Sequence, residues 1–204
     1  MVVIIDYGLG NLNSLGNSIN KAGGFEYVIT NDLNTIKNAD KLILAGVGAF
    51  GKAMDNIKNL NLLDTLNKKV LVDKTPIIGI CLGMQLLSSF SEEGNCDGLN
   101  WIKGNTIKFV FDSDTYRIPN VGWNTVIKEK QNKLFTNISD ESTFYFTHSY
   151  HFEPQNKENI LGSTQYGIKF ASIVNHENIY GVQFHPEKSH KQGLELLSNF
   201  IKYI

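Results

Sequence analysis

The chain has 204 residues, of which 42% are hydrophobic and 19% are charged, values typical of a globular domain with a sizeable core. Its formal net charge of −1, with Arg117 as the single arginine, argues against nucleic acid or an anionic membrane as a partner. No apolar run is long enough to span a membrane, no signal peptide is recognisable, and two cysteines are too few for a disulfide framework. We therefore expect a cytoplasmic protein that folds as one domain over residues 1–204.

The first half of the chain alternates strand and helix signals. Apolar runs predict strands at residues 2–6, 27–30, 41–45 and 77–80. The predicted helices cover about residues 13–22, 50–72 and 82–90. Strands that are apolar at consecutive positions and alternate with helices indicate a parallel sheet covered on both faces.

The second half is richer in strands. Strand candidates occupy residues 101–111, 124–128, 143–148, 160–165, 168–175 and 179–184. The segments between them are rich in Asn, Asp, Gly and Lys, which favours hairpins, and a helix is predicted at about 192–203. The fold class is therefore predicted to be α/β, with a mostly parallel central sheet flanked by helices and additional antiparallel strands in the second half.

A cysteine stands where one predicted buried strand turns into a helix. Gly79 and Gly83 flank Cys81 with the spacing of a nucleophile elbow, in which larger side chains two residues away would crowd a strained turn. The first amides and the positive end of the helix favour a thiolate at this point. A buried structural cysteine is the simpler alternative, because free cysteines are often buried.

A histidine and a glutamate follow another predicted strand. The strand ends at His185, and Pro186 cannot continue a hydrogen-bonded ladder because it lacks an amide hydrogen. A histidine at a strand end can take a proton from a cysteine at a neighbouring strand end, and Glu187 can orient the imidazole. The alternative is a solvated polar pair at the end of a strand. The cysteine elbow and this His-Pro-Glu segment together are much more specific than either alone.

A glycine-rich loop follows the strand at residues 41–45. Glycines at Gly46, Gly48 and Gly51 allow backbone amides to turn towards a developing oxyanion, as acyl transfer requires. An ordinary strand-to-helix turn explains the same glycines when the loop is considered by itself.

The chain resembles the class I, triad-type glutamine amidotransferases, and within that class the glutaminase subunits of imidazole glycerol phosphate synthases. The class signature is similar to Gly79-Ile80-Cys81-Leu82-Gly83-Met84-Gln85 and Phe184-His185-Pro186-Glu187. Further segments that resemble the subunit are Asp6-Tyr7-Gly8-Leu9-Gly10-Asn11, residues 46–51, Pro119-Asn120-Val121-Gly122-Trp123-Asn124, residues 145–150 and residues 184–189. The likeness extends from the first strand to the last helix.

The resemblance implies a role for each matching residue. Cys81 would attack the carboxamide of L-glutamine to form a thioester, with His185 as base and acid and Glu187 as its orienting group. The oxyanion would be stabilised by the backbone at Gly46, Val47, Gly48 and Leu82. Glutamine would be held by Gln85, Glu93, Ser149 and Tyr150. The ammonia would pass to a (β/α)₈-barrel cyclase subunit that makes imidazole glycerol phosphate in histidine synthesis, and the partner interface would include Asn11, Trp123, Tyr145 and Lys188.

The sequence departs from the family pattern at positions outside the triad. Ala45 stands where the family usually has proline, and Asn120 stands where a histidine is common. His148 and His151 are close in sequence, but no further ligand cluster accompanies them, so we expect no metal and no cofactor.

The hypothesis from the sequence is a glutaminase subunit that forms a heterodimer with the cyclase and transfers ammonia to it. Three alternatives remain. The same glutaminase chemistry could serve another synthase, for example one that builds an amidino group on a sugar. The chain could be a non-catalytic regulatory subunit on this fold, or a cysteine hydrolase acting on another amide or ester.

Overall fold

The computed structural model describes residues 1–112 and 115–204. The helices are α1 Leu12–Gly23, α2 Leu33–Lys37, α3 Phe50–Asn59, α4 Leu62–Asn67, α5 Leu82–Leu86 and α6 His190–Tyr203. The strands are β1 Val2–Ile5, β2 Tyr27–Thr30, β3 Lys41–Gly46, β4 Ile77–Cys81, β5 Phe90–Ser91, β6 Cys96–Asp97, β7 Gly104–Lys108, β8 Asn120–Thr125, β9 Ile127–Lys128, β10 Thr143–His148, β11 Tyr150–Pro154, β12 Ile160–Tyr166, β13 Ile168–His176 and β14 Ile179–Val182.

The main sheet has eight strands in the order β2-β1-β3-β4-β14-β13-β12-β9. The first five strands in this order are parallel neighbours, and β14, β13, β12 and β9 continue the sheet by antiparallel pairing. The pairing of β4 with β14 brings together segments about 100 residues apart in the sequence. The carboxyl ends of these two strands therefore meet at one edge of the sheet, where ligands bind in open α/β folds.

Both faces of the parallel part of the sheet are buried. Successive side chains of a strand point to opposite faces, and β1 accordingly contributes Ile4 to one apolar cluster and Val3 and Ile5 to the other. Helices α1 and α6 cover the first face, while α3, α4 and α5 cover the second. This double burial explains why β1 and β4 are apolar at consecutive positions.

Two smaller sheets complete the fold. The strands β11, β7, β5 and β6 form a four-stranded sheet, and β8 and β10 form an antiparallel pair. Strand β11 also packs near β13 of the main sheet. Residues 147–150, which connect or belong to β10 and β11, lie near the carboxyl end of β4. There they line the same cavity as Cys81.

The α/β architecture confirms the predicted fold class, although several element boundaries differ from the expected ones. The helix predicted at residues 82–90 ends at Leu86, since a turn follows and Phe90 begins β5. The strand predicted over residues 101–111 is confined to Gly104–Lys108, where pairing with β11 exists. Strand β14 ends at Val182, three residues before the His185 at which we expected it to end.

None of the helices in residues 1–112 and 115–204 combines the length and apolar character needed to cross a lipid bilayer.

Candidate active site

Cys81 lies at a sharp turn between β4 and α5. Its φ of 54° falls in the left-handed region, which is uncommon for a residue with a side chain. A Cβ at Gly79 would lie 2.5 Å from the carbonyl oxygen of Gly83, and a Cβ at Gly83 would lie 1.6 Å from the carbonyl oxygen of Leu44. Both positions therefore require glycine, because the strand–turn–helix connection is packed directly against its neighbouring backbone.

His185 faces this turn from the end of the adjacent strand β14. Its backbone amide donates to Tyr145 O at 2.9 Å, and its Nδ1 lies 2.8 Å from Glu187 Oε1. The ring is almost fully buried, and its Nε2 makes no hydrogen bond within the described part of the chain. The imidazole is therefore held through Nδ1 and keeps Nε2 available.

The surroundings of His185 favour its protonated form. Burial acts to lower the pKa, but the side chains of Cys81 and Glu187 outweigh burial and raise the pKa of His185 to about 10. A proton that leaves the Cys81 thiol is consequently well accommodated on the imidazole. This arrangement of thiol, imidazole and carboxylate is suited to nucleophilic catalysis with a base and an orienting group.

The glycine-rich loop lies beside the cysteine. Gly46 at the end of β3 is the register partner of Cys81 on β4. Val47, Gly48 and Leu82 line the same cavity as Cys81, and Gly48 has a φ of 118°, which other residues rarely adopt. The structure thus brings together the four residues predicted to surround the oxyanion.

The cavity at Cys81 has a volume of about 410 Å³. Its lining includes all four residues predicted to hold the substrate, namely Gln85, Glu93, Ser149 and Tyr150. Gln85 Nε2 donates to Tyr150 O at 2.9 Å, and Glu93 Oε2 accepts from the backbone amide of Phe50 at 3.0 Å. The cavity therefore offers carboxylate and carbonyl acceptors for a ligand with an ammonium or amide group.

Gln183 is a site residue that the sequence did not identify. Its Nε2 donates towards Cys81 Sγ at 3.8 Å, and its Oε1 accepts from Gln85 Nε2 at 3.1 Å. Gln183 therefore connects the sulfur to a residue predicted to bind substrate. In the sequence, only its position two residues before His185 indicates that Gln183 belongs to the site. The structure shows that its side chain is directed at Cys81.

The residues predicted at the partner interface form a surface beside His185. Trp123 contacts Tyr145 edge to face and stacks on His190 with ring centroids 4.8 Å apart, while Lys188 Nζ lies 5.6 Å from the Tyr145 ring centroid. Asn11 is exposed, caps helix α1 through Ser14 N, and lines a small cavity with His185 and Glu187. The stacking of His190 on Trp123 depends on the fold, and no local pattern in the sequence indicates it.

Tyr7 is a second buried residue that the sequence did not place near the site. Its hydroxyl has no hydrogen-bond partner in the described residues, and a Cβ at Gly46 would lie 1.8 Å from it. Burial and then the nearby Cys81 raise the pKa of Tyr7, so the hydroxyl stays protonated at neutral pH. The phenol therefore fills the space beside the oxyanion loop.

We expect Tyr7→Phe to raise the free energy of unfolding by about 1 kcal/mol, because it removes a buried hydroxyl that lacks a partner and retains the ring. Urea denaturation of both proteins provides the measurement. A loss of stability of similar size would mean that the hydroxyl makes a hydrogen bond in solution.

His148 is a buried structural histidine at the back of the cavity. Its Nδ1 lies 2.8 Å from Tyr150 O, and its Nε2 lies 3.2 Å from Asn120 Nδ2, a network consistent with a neutral ring protonated at Nδ1. Burial lowers the pKa of His148 to about 3. Asn120, one of the departures from the family pattern, thus acts as a hydrogen-bond donor to this ring.

Acidification should destabilise the protein through His148. Below pH 6.5 the unfolded chain gains a proton on this histidine that the folded chain does not take up until about pH 3, so stability falls as the pH falls. At pH 4.5 we expect a loss of roughly 2–3 kcal/mol from His148. Urea denaturation at pH 7 and pH 4.5 tests this, and His148→Gln should show a smaller difference between the two pH values. An unchanged difference in the variant would contradict the assignment.

Within residues 1–112 and 115–204 there is no cluster of three or more His, Cys, Asp or Glu side chains arranged to hold a metal ion. Both cysteines, Cys81 and Cys96, are free.

Comparison with known proteins gives relatives over almost the whole chain. The protein is 53% identical over 202 residues to imidazole glycerol phosphate synthase subunit HisH 2 of Methanococcus maripaludis, covering 99% of both chains. It is 42% identical to imidazole glycerol phosphate synthase subunit HisH of Leptospira borgpetersenii, with 98% of each chain covered. The solved structure of PurLQS from Thermotoga maritima shares the fold, with a TM-score of 0.69, 16% identity, and coverage of 99% of this chain and 97% of that one.

The model of the family named glutamine amidotransferase class-I matches residues 3–203. This match and the full-length relatives confirm the resemblance inferred from the cysteine elbow and the His-Pro-Glu segment. The chain belongs to the class-I glutamine amidotransferase family.

Proposed function

We propose that this protein is the glutaminase subunit of an imidazole glycerol phosphate synthase, and that residues 1–204 form a single glutamine amidotransferase domain. The observation that carries the proposal is the meeting of Cys81, His185 and Glu187 at adjacent strand ends, next to a cavity of about 410 Å³. The names of the full-length relatives support the choice of synthase.

Catalysis begins with the transfer of the Cys81 thiol proton to His185 Nε2, which has no other partner among the described side chains. The thiolate sulfur attacks the carboxamide carbon of L-glutamine, and backbone amides at residues 46–48 and Leu82 stabilise the tetrahedral oxyanion. His185 then gives its proton to the departing nitrogen, so ammonia leaves and a thioester remains on Cys81. Glu187 keeps the imidazole oriented and stabilises its charged form.

The second half-reaction regenerates the enzyme. His185 takes a proton from water, whose oxygen attacks the thioester carbon, and the tetrahedral intermediate then releases glutamate and the Cys81 sulfur, which recovers its proton from His185. Atoms and charge balance because one water is consumed for each glutamine converted to glutamate and ammonia. The reaction needs no cofactor or metal ion.

The ammonia is passed to a (β/α)₈-barrel cyclase subunit, with which this chain forms a heterodimer in the cytoplasm. The surface around Trp123, Tyr145 and Lys188 supports this part of the proposal, because strand β8, which pairs with the strand that carries Tyr145, and the residues before it expose apolar side chains. Ile118 is 40% exposed, Val121 is 56% exposed and Trp123 is 44% exposed. Exposed apolar and aromatic residues of this kind are typical of a protein interface.

The test combines the purified chain with the cyclase and measures glutamate release and formation of imidazole glycerol phosphate. We expect glutamine hydrolysis to be slow for the isolated chain and at least about tenfold faster with the cyclase, because the glycines at residues 46 and 48 let the loop turn its amides towards the oxyanion when the partner binds. Equal rates with and without the cyclase would contradict the coupling. Rapid hydrolysis without transfer of ammonia to the cyclase product would favour another synthase.

A further inference from the structure

A buried amide, that of Gln183, lies beside Cys81 and has no part in the proton transfers of the proposed glutaminase reaction. Gln183 is fully buried, as are its apolar neighbours in the sequence, Val182 and Phe184. Its backbone amide donates to Ser172 O at 2.9 Å, which fixes the residue beside strand β13. Buried polar side chains cost free energy unless they make hydrogen bonds, so the partners of this amide decide what it can do.

A backbone carbonyl sets the orientation of two side-chain amides in this region. The carbonyl oxygen of Tyr150 can only accept, and Gln85 accordingly directs its Nε2 at this oxygen, at 2.9 Å. The same Nε2 donates its second hydrogen to Gln183 Oε1 at 3.1 Å. Gln183 then has its own Nε2 directed at Cys81 Sγ, at 3.8 Å. Turning over either amide would bring like groups together, two donors or two acceptors, so the network assigns both orientations.

The contact between Gln183 Nε2 and the sulfur should strengthen when the sulfur is charged. A neutral thiol is a weak acceptor, whereas a hydrogen bond to an ionised group is roughly twice as strong as a neutral one. In the proposed reaction, Cys81 is a thiolate when it attacks the carboxamide and again when the thioester is cleaved. The amide of Gln183 is therefore placed to hold the sulfur in the two states in which it carries charge.

The same network leaves an acceptor for the ligand of the glutamine cavity. Both hydrogens of Gln85 Nε2 are used, one by Tyr150 O and one by Gln183 Oε1. Only Oε1 of this side-chain amide remains for a ligand, and Gln85 lines the cavity together with Cys81. An acceptor suits the ammonium or amide group of glutamine and does not suit its carboxylate.

We propose that Gln183 is a positioning residue with two separable effects. Its Nε2 holds Cys81 Sγ, and its Oε1 fixes the amide of Gln85 so that Gln85 Oε1 accepts from the substrate. The inference rests on the proposed glutaminase function and adds a residue to it. An amide with a purely structural role would affect turnover and glutamine binding only through the stability of the fold.

Two substitutions separate the effects. Gln183→Glu retains an oxygen for Gln85 Nε2 but loses the N–H directed at the sulfur, whereas Gln183→Met has a similar length and loses both. The first measurement is kcat for glutamate formation with the cyclase, at saturating glutamine and at pH 8, where a glutamate side chain is normally ionised. We expect kcat to fall at least about tenfold in both variants, as the loss of one hydrogen bond to a charged group predicts.

The second measurement is the affinity for glutamine in the Cys81→Ala background, which isolates binding from chemistry. Calorimetric titration should show binding about fivefold weaker with Gln183→Met, because Gln85 loses the partner that fixes its amide, and within about twofold of normal with Gln183→Glu. The matched control is Gln165→Met. Gln165 is an exposed glutamine of strand β12 that does not line the cavity, and its substitution should change neither quantity.

Urea denaturation shows whether each variant is folded, and Gln183→Glu decides the question if Gln183→Met is not. A folded Gln183→Glu protein that keeps more than about half of the normal kcat would overturn the role at the sulfur. Glutamine affinity that falls equally in both variants, or in neither, would overturn the role at Gln85. Absence of glutaminase activity in the unsubstituted protein with the cyclase would instead refute the proposed function, and the inference with it.

Discussion

Cys81→Ala should abolish glutamine hydrolysis, with kcat in the presence of the cyclase reduced by at least about 10⁴-fold. The thioester route requires a sulfur nucleophile, and no other cysteine lines the cavity within the described residues. Alanine removes only the sulfur, so the turn between β4 and α5 and the residues that contact glutamine remain in place. The affinity for glutamine should therefore change little, which separates loss of chemistry from loss of binding.

The matched control is Cys96→Ala. Cys96 is free and partly exposed in strand β6, does not line the cavity, and is expected to be dispensable. The measurement is glutamate formation by each variant at saturating glutamine. A Cys81→Ala protein that retains more than about a tenth of the normal rate would rule out the thioester mechanism, because every triad mechanism loses far more without its nucleophile.

Gly83→Ala should prevent folding or lower the free energy of unfolding by more than about 4 kcal/mol. The new Cβ would lie 1.6 Å from the carbonyl oxygen of Leu44, which is backbone and part of the paired strand β3. No rotation of a side chain relieves this overlap, so either the turn at Cys81 or the edge of the sheet must move. Activity should be lost together with stability, since the same backbone positions the nucleophile and the oxyanion loop.

Gly51→Ala tests whether the effect is specific to the elbow. A Cβ at Gly51 would make only ordinary contacts, at 3.7 Å from Cys96 Sγ and 3.9 Å from Gly94 Cα, and Gly51 lies within helix α3. Alanine favours helices over glycine, so stability should be unchanged or rise by up to about 1 kcal/mol. Urea denaturation of both variants gives the comparison, and equal stability of the two would contradict the packing described for Gly83.

The sequence predicts the parallel part of the fold well because burial on both faces forces consecutive apolar residues. Strands β1, β3 and β4 are of this kind, and the glycines around Cys81 mark the turn between β4 and α5. The structure confirms the predicted fold class, and the match to the family model confirms the resemblance. Short elements were harder to predict from the sequence. The two-residue strands β5 and β6 pair with each other, and β5 also pairs with β7, but no local pattern encodes this pairing.

Strand β11 illustrates the same limit. Its residues, Tyr150–Pro154, follow a six-residue strand after a single residue and were not recognised as a separate strand, since their identity depends on antiparallel pairing with β7. The predicted roles of Gln85, Glu93 and Tyr150 came from the family resemblance and stay predictions, although all three line one cavity with Cys81. The side-chain contacts of Gln183 and Tyr7 depend on register between distant strands and could not be inferred from spacing.

The most direct test of the account is the site of covalent labelling by a glutamine analogue that carries a diazo-ketone group. The protein is incubated with the analogue in the presence of the cyclase, digested, and analysed by mass spectrometry. We predict a single adduct on the peptide that contains Cys81, suppressed by excess glutamine, and none on the peptide that contains Cys96. An adduct on Cys96 alone, or glutaminase activity that survives complete labelling of Cys81, would contradict the account.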